Sequence, residues 1–155
     1  MGNVDRIDRK ILNAVQRNNR LTTKELGKLA GLSGTACQRR LQRLRDVGII
    51  EADVAIVSPE AVGRPMLMLV YINLERDRTD ILDRFKQAVR RTPEITCAYN
   101  VTGETDFVLV ISVSGMVEYE ALTRRFFFEN ADIKKFSTMV VMERTKVSFA
   151  VPIGE

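Results

Sequence analysis

Apolar residues recur every three to four positions near the start of the chain. Ile7, Ile11, Leu12 and Val15 share one side of a helix that Asp5 can cap, and Arg17-Asn18-Asn19-Arg20 marks its end. Thr22 and Glu25 then form a T-x-x-E capping box with Leu21 and Leu26 at the staple positions, so a second helix starts at Thr22. Leu29 and Ala30 continue its buried side, and Gly31 closes it as a left-handed cap. Ser33 caps a third helix, flanked by Leu32 and Cys37, that runs to about Val47 with Gly48 as terminator. Two helices joined by Gly31-Leu32-Ser33 make a helix-turn-helix. Ile49-Ile50-Glu51 and Val54-Ala55-Ile56-Val57 read as a short two-stranded wing turning at Ala52-Asp53.

Ser58-Pro59 and Gly63-Arg64-Pro65 punctuate a linker. Beyond it the period changes. Met66 to Leu74 is a strand with only Asn73 polar, and Thr79 caps a helix carrying Ile81, Leu82, Phe85, Ala88 and Val89. Strands over 95–102 and 107–114 flank the turn Gly103-Glu104-Thr105-Asp106. A helix over 116–128 buries Val117, Leu122 and Phe126, and a fourth strand runs from Ile133 to about Val147. The order βαββαβ is that of a ferredoxin-like layer. The predicted fold class is therefore α+β. It comprises a winged helix-turn-helix domain over residues 1–58, a linker over 59–65, and a ferredoxin-like effector and oligomerisation domain over 66–155. Helices cover only one face of such a sheet, yet Met66 to Ile72 and Phe107 to Ile111 are apolar on both. The bare face calls for a second copy of the chain, giving an obligate homodimer.

Composition narrows the chemistry. The chain has 155 residues, 45% hydrophobic and 28% charged, as expected of a soluble globular protein. No apolar run is long enough to span a membrane and no signal-peptide core opens the chain, so a cytoplasmic protein is expected. There is no histidine, and Cys37 and Cys97 are two lone cysteines. No metal site, catalytic residue, phosphate-binding glycine loop or cofactor is therefore expected, and an enzyme is disfavoured.

Charge is divided unevenly. Residues 1–50 carry eleven Lys/Arg against four Asp/Glu, and residues 51–155 carry thirteen against sixteen. The basic half suits a polyanion. On the third helix Cys37, Leu41 and Leu44 point inward, while Thr35, Arg39, Gln42 and Arg43 point outward with Gln38 on the flank. Arginine reads guanine edges, glutamine reads adenine, and a threonine methyl meets thymine. Ser33 and the helix start offer donors to a phosphate, and Arg40 and Arg45 lie nearer the edge as phosphate contacts. The predicted partner is double-stranded DNA entered by the third helix. An RNA-binding sheet is disfavoured, because the strands lack the aromatic and basic surface it needs.

Several stretches resemble the leucine-responsive/asparagine-responsive (Lrp/AsnC) family of transcription regulators. They are Val4-Asp5-Arg6-Ile7-Asp8-Arg9-Lys10-Ile11-Leu12, Gly31-Leu32-Ser33 with Cys37, Arg40-Leu41 and Leu44, Gly48-Ile49-Ile50, Thr102-Gly103-Glu104-Thr105-Asp106-Phe107, and Val140-Val141-Met142-Glu143. The resemblance implies a DNA-binding regulator whose assembly or DNA affinity responds to an amino-acid effector, with dimers assembling to tetramers or octamers. An effector-independent DNA-organising protein is the alternative. The resemblance also implies an effector site at Gly103 and Asp106, with Thr102, Glu104 and Thr105 beside them and Thr138 as a further position. A carboxylate at Asp106 suits an ammonium, while backbone amides near Gly103 and the Thr138 hydroxyl suit a carboxylate. Glycine and aspartate also favour a plain hairpin turn there. The effector's identity is not legible. Phe126-Phe127-Phe128 departs from the expected pattern, because one helix face cannot bury three consecutive aromatics.

Overall fold

Asp5 starts α1 (Arg6–Arg17) with a complete capping box: its carboxylate accepts from the Asp8 N–H at 2.8 Å, and Asp8 returns the bond to the Asp5 N–H. Thr22 and Glu25 cap α2 (Thr23–Ala30) the same way, and Gly31 ends it in the left-handed region at φ 74°. Ser33 caps α3 (Gly34–Asp46), accepting from the Ala36 N–H at 3.2 Å. All three helix starts are the predicted ones. The computed structural model describes residues 4–75 and 78–154. It divides into two compact units, the first joining the chain up to Ile56 with the segment from Lys146 onward, the second spanning Val57–Thr145.

The core of the first unit is built from Ile11, Leu12, Leu26, Ala30, Cys37, Leu41 and Leu44. Leu44 and Cys37 are fully buried, each in the orientation that the third helix's period demanded. Burial pushes the Cys37 thiol's pKa up, so this cysteine is packing material and not a reactive centre. The turn between α2 and α3 is tight: the Leu32 N–H donates to the Gly27 carbonyl at 2.8 Å. A Cβ on Gly27 would lie 2.7 Å from the Leu32 carbonyl oxygen, so the helix-turn-helix needs glycine inside α2.

No wing forms. The segment from Glu51 to Val57 carries no strand. The amides a hairpin would use are already spent, because Ile49 and Ile50 both donate to the Leu44 carbonyl, at 2.9 and 3.0 Å, closing the end of α3. Asp53, the expected turn residue, is held by Arg45 at 2.7 Å and by Asn19 at 2.8 Å. The domain boundary is also corrected at the C-terminal side. Residues from Lys146 onward were expected in the second domain, but Val151 to Gly154 run back along α1. There Gln16 exchanges two bonds with the Val151 backbone and Asn13 donates to the Ile153 carbonyl.

The second unit has the expected βαββαβ order. Its elements are β1 (Met66–Leu74), α4 (Thr79–Arg90), β2 (Ile95–Asn100), β3 (Phe107–Val113), α5 (Met116–Leu122) and β4 (Ile133–Val140). The sheet is antiparallel in the order β2-β3-β1-β4. Several local expectations change, and Val117, expected buried with Leu122 and Phe126, is 85% exposed. Thr79 is the first residue of α4 and Arg78 takes the cap position. β4 ends at Val140 rather than near Val147. The helix over 116–128 is α-helical only to Leu122, then widens into a π-turn over Thr123–Phe128. That wider turn lets Phe126 and Phe127 both face the core, while Phe128 stays 72% exposed beside Phe136.

Burial alternates along β1. Met68, Val70, Ile72 and Leu74 are sealed by the helices, whereas Leu67, Leu69 and Tyr71 on the other face are only half-buried. Their neighbours in register are Val108 and Val110 of β3 and Met139 of β4. An apolar sheet face thus lies outside the helical layer.

Candidate nucleic-acid and effector sites

The outward side of α3 begins with Ser33, whose oxygen caps the helix. Thr35, Gln38, Arg39 and Gln42 follow, all exposed. With Arg43 and Asp46 they line a shallow depression of about 490 Å³. Gln42 donates to Asp46 across one turn at 2.8 Å. Arg39 has no ion-pair partner among the described residues.

Two expected members behave differently. Arg43, predicted to point outward, turns its guanidinium to the buried carboxylate of Asp8. Arg40 bonds both Asp5 at 2.6 Å and Asp8 at 2.9 Å, which raises its pKa above the ordinary arginine value, while the Asp8 N–H first and Arg40 second hold the Asp5 carboxyl below its usual range. These two arginines clamp α3 to α1. Arg45 is likewise held by Asp53, whose carboxyl it keeps below the usual range. Of the residues expected to read bases, Thr35, Gln38, Arg39 and Gln42 remain on the outward side of α3 without a bond to α1. Asp8 is the site residue that the sequence reading missed; only its place on the apolar side of α1 hinted at it.

In the second unit, Thr102 to Asp106 form one loop. Val101 donates to the Asp106 carbonyl at 3.0 Å, and the Asp106 N–H reaches the Ile72 carbonyl at 2.9 Å. Asp106 Oδ2 accepts from the Leu74 N–H at 2.7 Å, and the Thr105 hydroxyl donates to the Ile72 carbonyl at 2.6 Å. Asn73 donates to the Glu104 carbonyl at 2.7 Å. Loop and β1 are thereby stitched together. Gly103 takes φ 126°, a conformation only glycine adopts readily. The backbone N–H groups of Thr102, Gly103, Glu104 and Thr105 have no acceptor among the described residues. Thr138 does not join this loop. It stands on the helix-covered face, its hydroxyl bonded to the Tyr119 hydroxyl.

Comparison with known proteins finds two matched regions in the same order along the chain. Residues 4–45 match the AsnC-type helix-turn-helix domain, and residues 67–151 match the Lrp/AsnC ligand binding domain. The chain belongs to the Lrp/AsnC family. It is 61% identical over 150 residues to an HTH-type transcriptional regulator of Sinorhizobium fredii, covering 97% of this chain and 89% of that one. It is 36% identical over 143 residues to the leucine-responsive regulatory protein of Haemophilus influenzae, covering 92% and 86%. Its backbone superimposes on a Neisseria meningitidis transcriptional regulator, solved as a complex with L-methionine, with a TM-score of 0.90 at 29% identity and 97% coverage of both chains. This Lrp/AsnC chain is thus a transcriptional regulator and not an enzyme. No helix among its described residues is long and apolar enough to cross a membrane.

Proposed function

We propose that this regulator reads a DNA sequence through Thr35, Gln38, Arg39 and Gln42, and does so as a homodimer that assembles further to a tetramer or octamer in the cytoplasm. The observation that carries the reading is the outward row of α3, where Arg39 stands exposed with no partner among the described residues. Such a row fits a major groove, with Ser33 and the start of α3 near a phosphate. The half-buried sheet face of Leu67, Leu69, Tyr71, Val108 and Val110 supports the dimer, because pairing two copies removes it from water. Two heads on one two-fold axis reach successive grooves about 34–36 Å apart.

An amino-acid effector modulates this assembly or its DNA affinity. The loop 102–106 supports that reading: four unpaired backbone N–H groups suit a carboxylate, and Asp106 Oδ1 and the Glu104 carboxylate suit an ammonium. The effector acts by binding two states of the assembly unequally. Melting of the purified protein against each proteinogenic amino acid, methionine first, tests this. A ligand at 100 times its dissociation constant adds about 2.7 kcal/mol, and Asp106→Ala abolishes that gain. A flat response to every amino acid overturns the effector assignment. Equal affinity of the parent protein for specific and random duplexes, or Arg39→Ala binding the specific duplex as tightly as the parent, overturns the DNA reading.

A further inference from the structure

The first unit carries a second basic surface that DNA reading by α3 does not use. A groove of about 460 Å³ lies between α1 and α2. Arg6, Lys10 and Arg17 form its rim, and Ala14, Leu21 and Leu29 contribute its apolar lining. Leu29, expected on the buried side of α2 with Ala30, is instead 59% exposed, beside the sealed side that Leu26 and Ala30 form. Arg6, Lys10 and Arg17 have no acidic partner among the described residues.

At about 100° per residue, the three cations fall within about 40° of one another on α1, and Asp8 lies about 180° away. Asp8 is the residue to which α3 is clamped through Arg40 and Arg43. The groove is therefore on the side of α1 turned away from α3. A duplex seated on the outward row of α3 leaves it open. A phosphate backbone also has nothing to place against Leu29 and Leu21, whereas an amphipathic peptide does.

We propose that this groove docks an acidic amphipathic segment of a partner protein. Its leucine-like anchors would cover Leu21 and Leu29, and its carboxylates would meet Arg6, Lys10 and Arg17. The volume suits one or two apolar side chains, and three unpaired cations supply the complementary charge. DNA and the partner then occupy opposite sides of α1, so a bound regulator can recruit while it reads.

The test uses a fluorescein-labelled peptide of about 16 residues, with leucine at i, i+3, i+4 and i+7 and glutamate elsewhere, followed by anisotropy on the full chain. The expected dissociation constant is about 10–100 μM, persisting when a 30-base-pair random duplex saturates the protein (about three helical turns). K10E/R17E weakens it about tenfold, and Leu29→Ser weakens it about threefold, with helix content by circular dichroism unchanged. K10A/R17A is the milder variant if the charge reversal lowers stability. Four results overturn the proposal: no saturable binding, equal binding to all variants, equal binding of a peptide with serine in place of leucine, or displacement by the duplex. The last would make the groove part of the DNA interface.

Discussion

The buried carboxylate of Asp8 on α1 holds the guanidinium of Arg43 on α3. Asp8 is 0% exposed, and Arg40 reaches the same carboxylate, so one acid ties α1 to the helix that carries the proposed DNA-reading row. Removing it deprives Arg43 of its carboxylate and leaves Arg40 with Asp5 alone. Asp8→Ala is expected to cost about 2–3 kcal/mol in unfolding of the first unit, below the usual cost of breaking a fully buried pair because both arginines keep contact with water. Arg39→Ala should leave that stability unchanged, yet weaken specific DNA binding by about 1–3 kcal/mol with altered preference at one base position. Denaturant melts and duplex titrations on the two variants separate the roles.

Glycine at position 27 is required by an approach and not by a dihedral angle. Alanine is the better helix former by about 1 kcal/mol, so the clash with the Leu32 carbonyl must exceed that gain. Gly27→Ala is expected to destabilise the first unit by about 1–2 kcal/mol. At Gly34 an added Cβ meets only ordinary contacts, the nearest at 3.6 Å. Gly34→Ala should stay within about 0.5 kcal/mol of the parent. Thermal melts of the two single variants compare them directly.

Acid should release one latch in the second unit. Ser114, through its hydroxyl and its N–H, and Arg64 together lower the Glu118 carboxyl to about 2. A carboxylate depressed in the folded state stabilises fully above its unfolded value near 4.5, and that contribution is lost as pH falls toward the folded one. The stability contribution falls between those limits, and the Arg64–Glu118 contact itself is expected to open as pH approaches the folded value of about 2. Carbon-detected NMR titration of the Glu118 carboxyl reads the midpoint, and Glu118→Gln should remove the transition.

The returning tail belongs to the stability of the first unit. Ile153 packs against the core around Leu44, and Gln16 and Asn13 bind the backbone at Val151 and Ile153. Deleting residues 146–155 is expected to lower unfolding of the first unit by about 1–2 kcal/mol and leave the second unit's melt in place. Ile153→Ala should give a smaller loss in the same transition, read by far-ultraviolet circular dichroism of the first unit's helices.

Short-range chemistry was legible from residue order alone. The caps at Asp5, Thr22 and Ser33, the stop at Gly31, the inward set Cys37, Leu41 and Leu44, and the βαββαβ order all depend on residues a few positions apart. Helical period, capping geometry and strand alternation act over that distance, so they survive any fold. The roles of individual polar groups did not follow. On a wheel Arg43 points outward, but a long flexible side chain goes where a buried charge draws it, and Asp8 lies 35 residues away. The expected wing failed for the same kind of reason. Its alternation was adequate, but Ile49, Ile50 and Asp53 found partners on α3 and at Asn19 instead. Thr138 of β4 and Tyr119 of α5 met between sheet and helix, and the last residues returned to α1, through contacts that no local period encodes. Which polar group is free to meet a ligand depends on which ones the fold has already satisfied, and only the assembled chain holds that account.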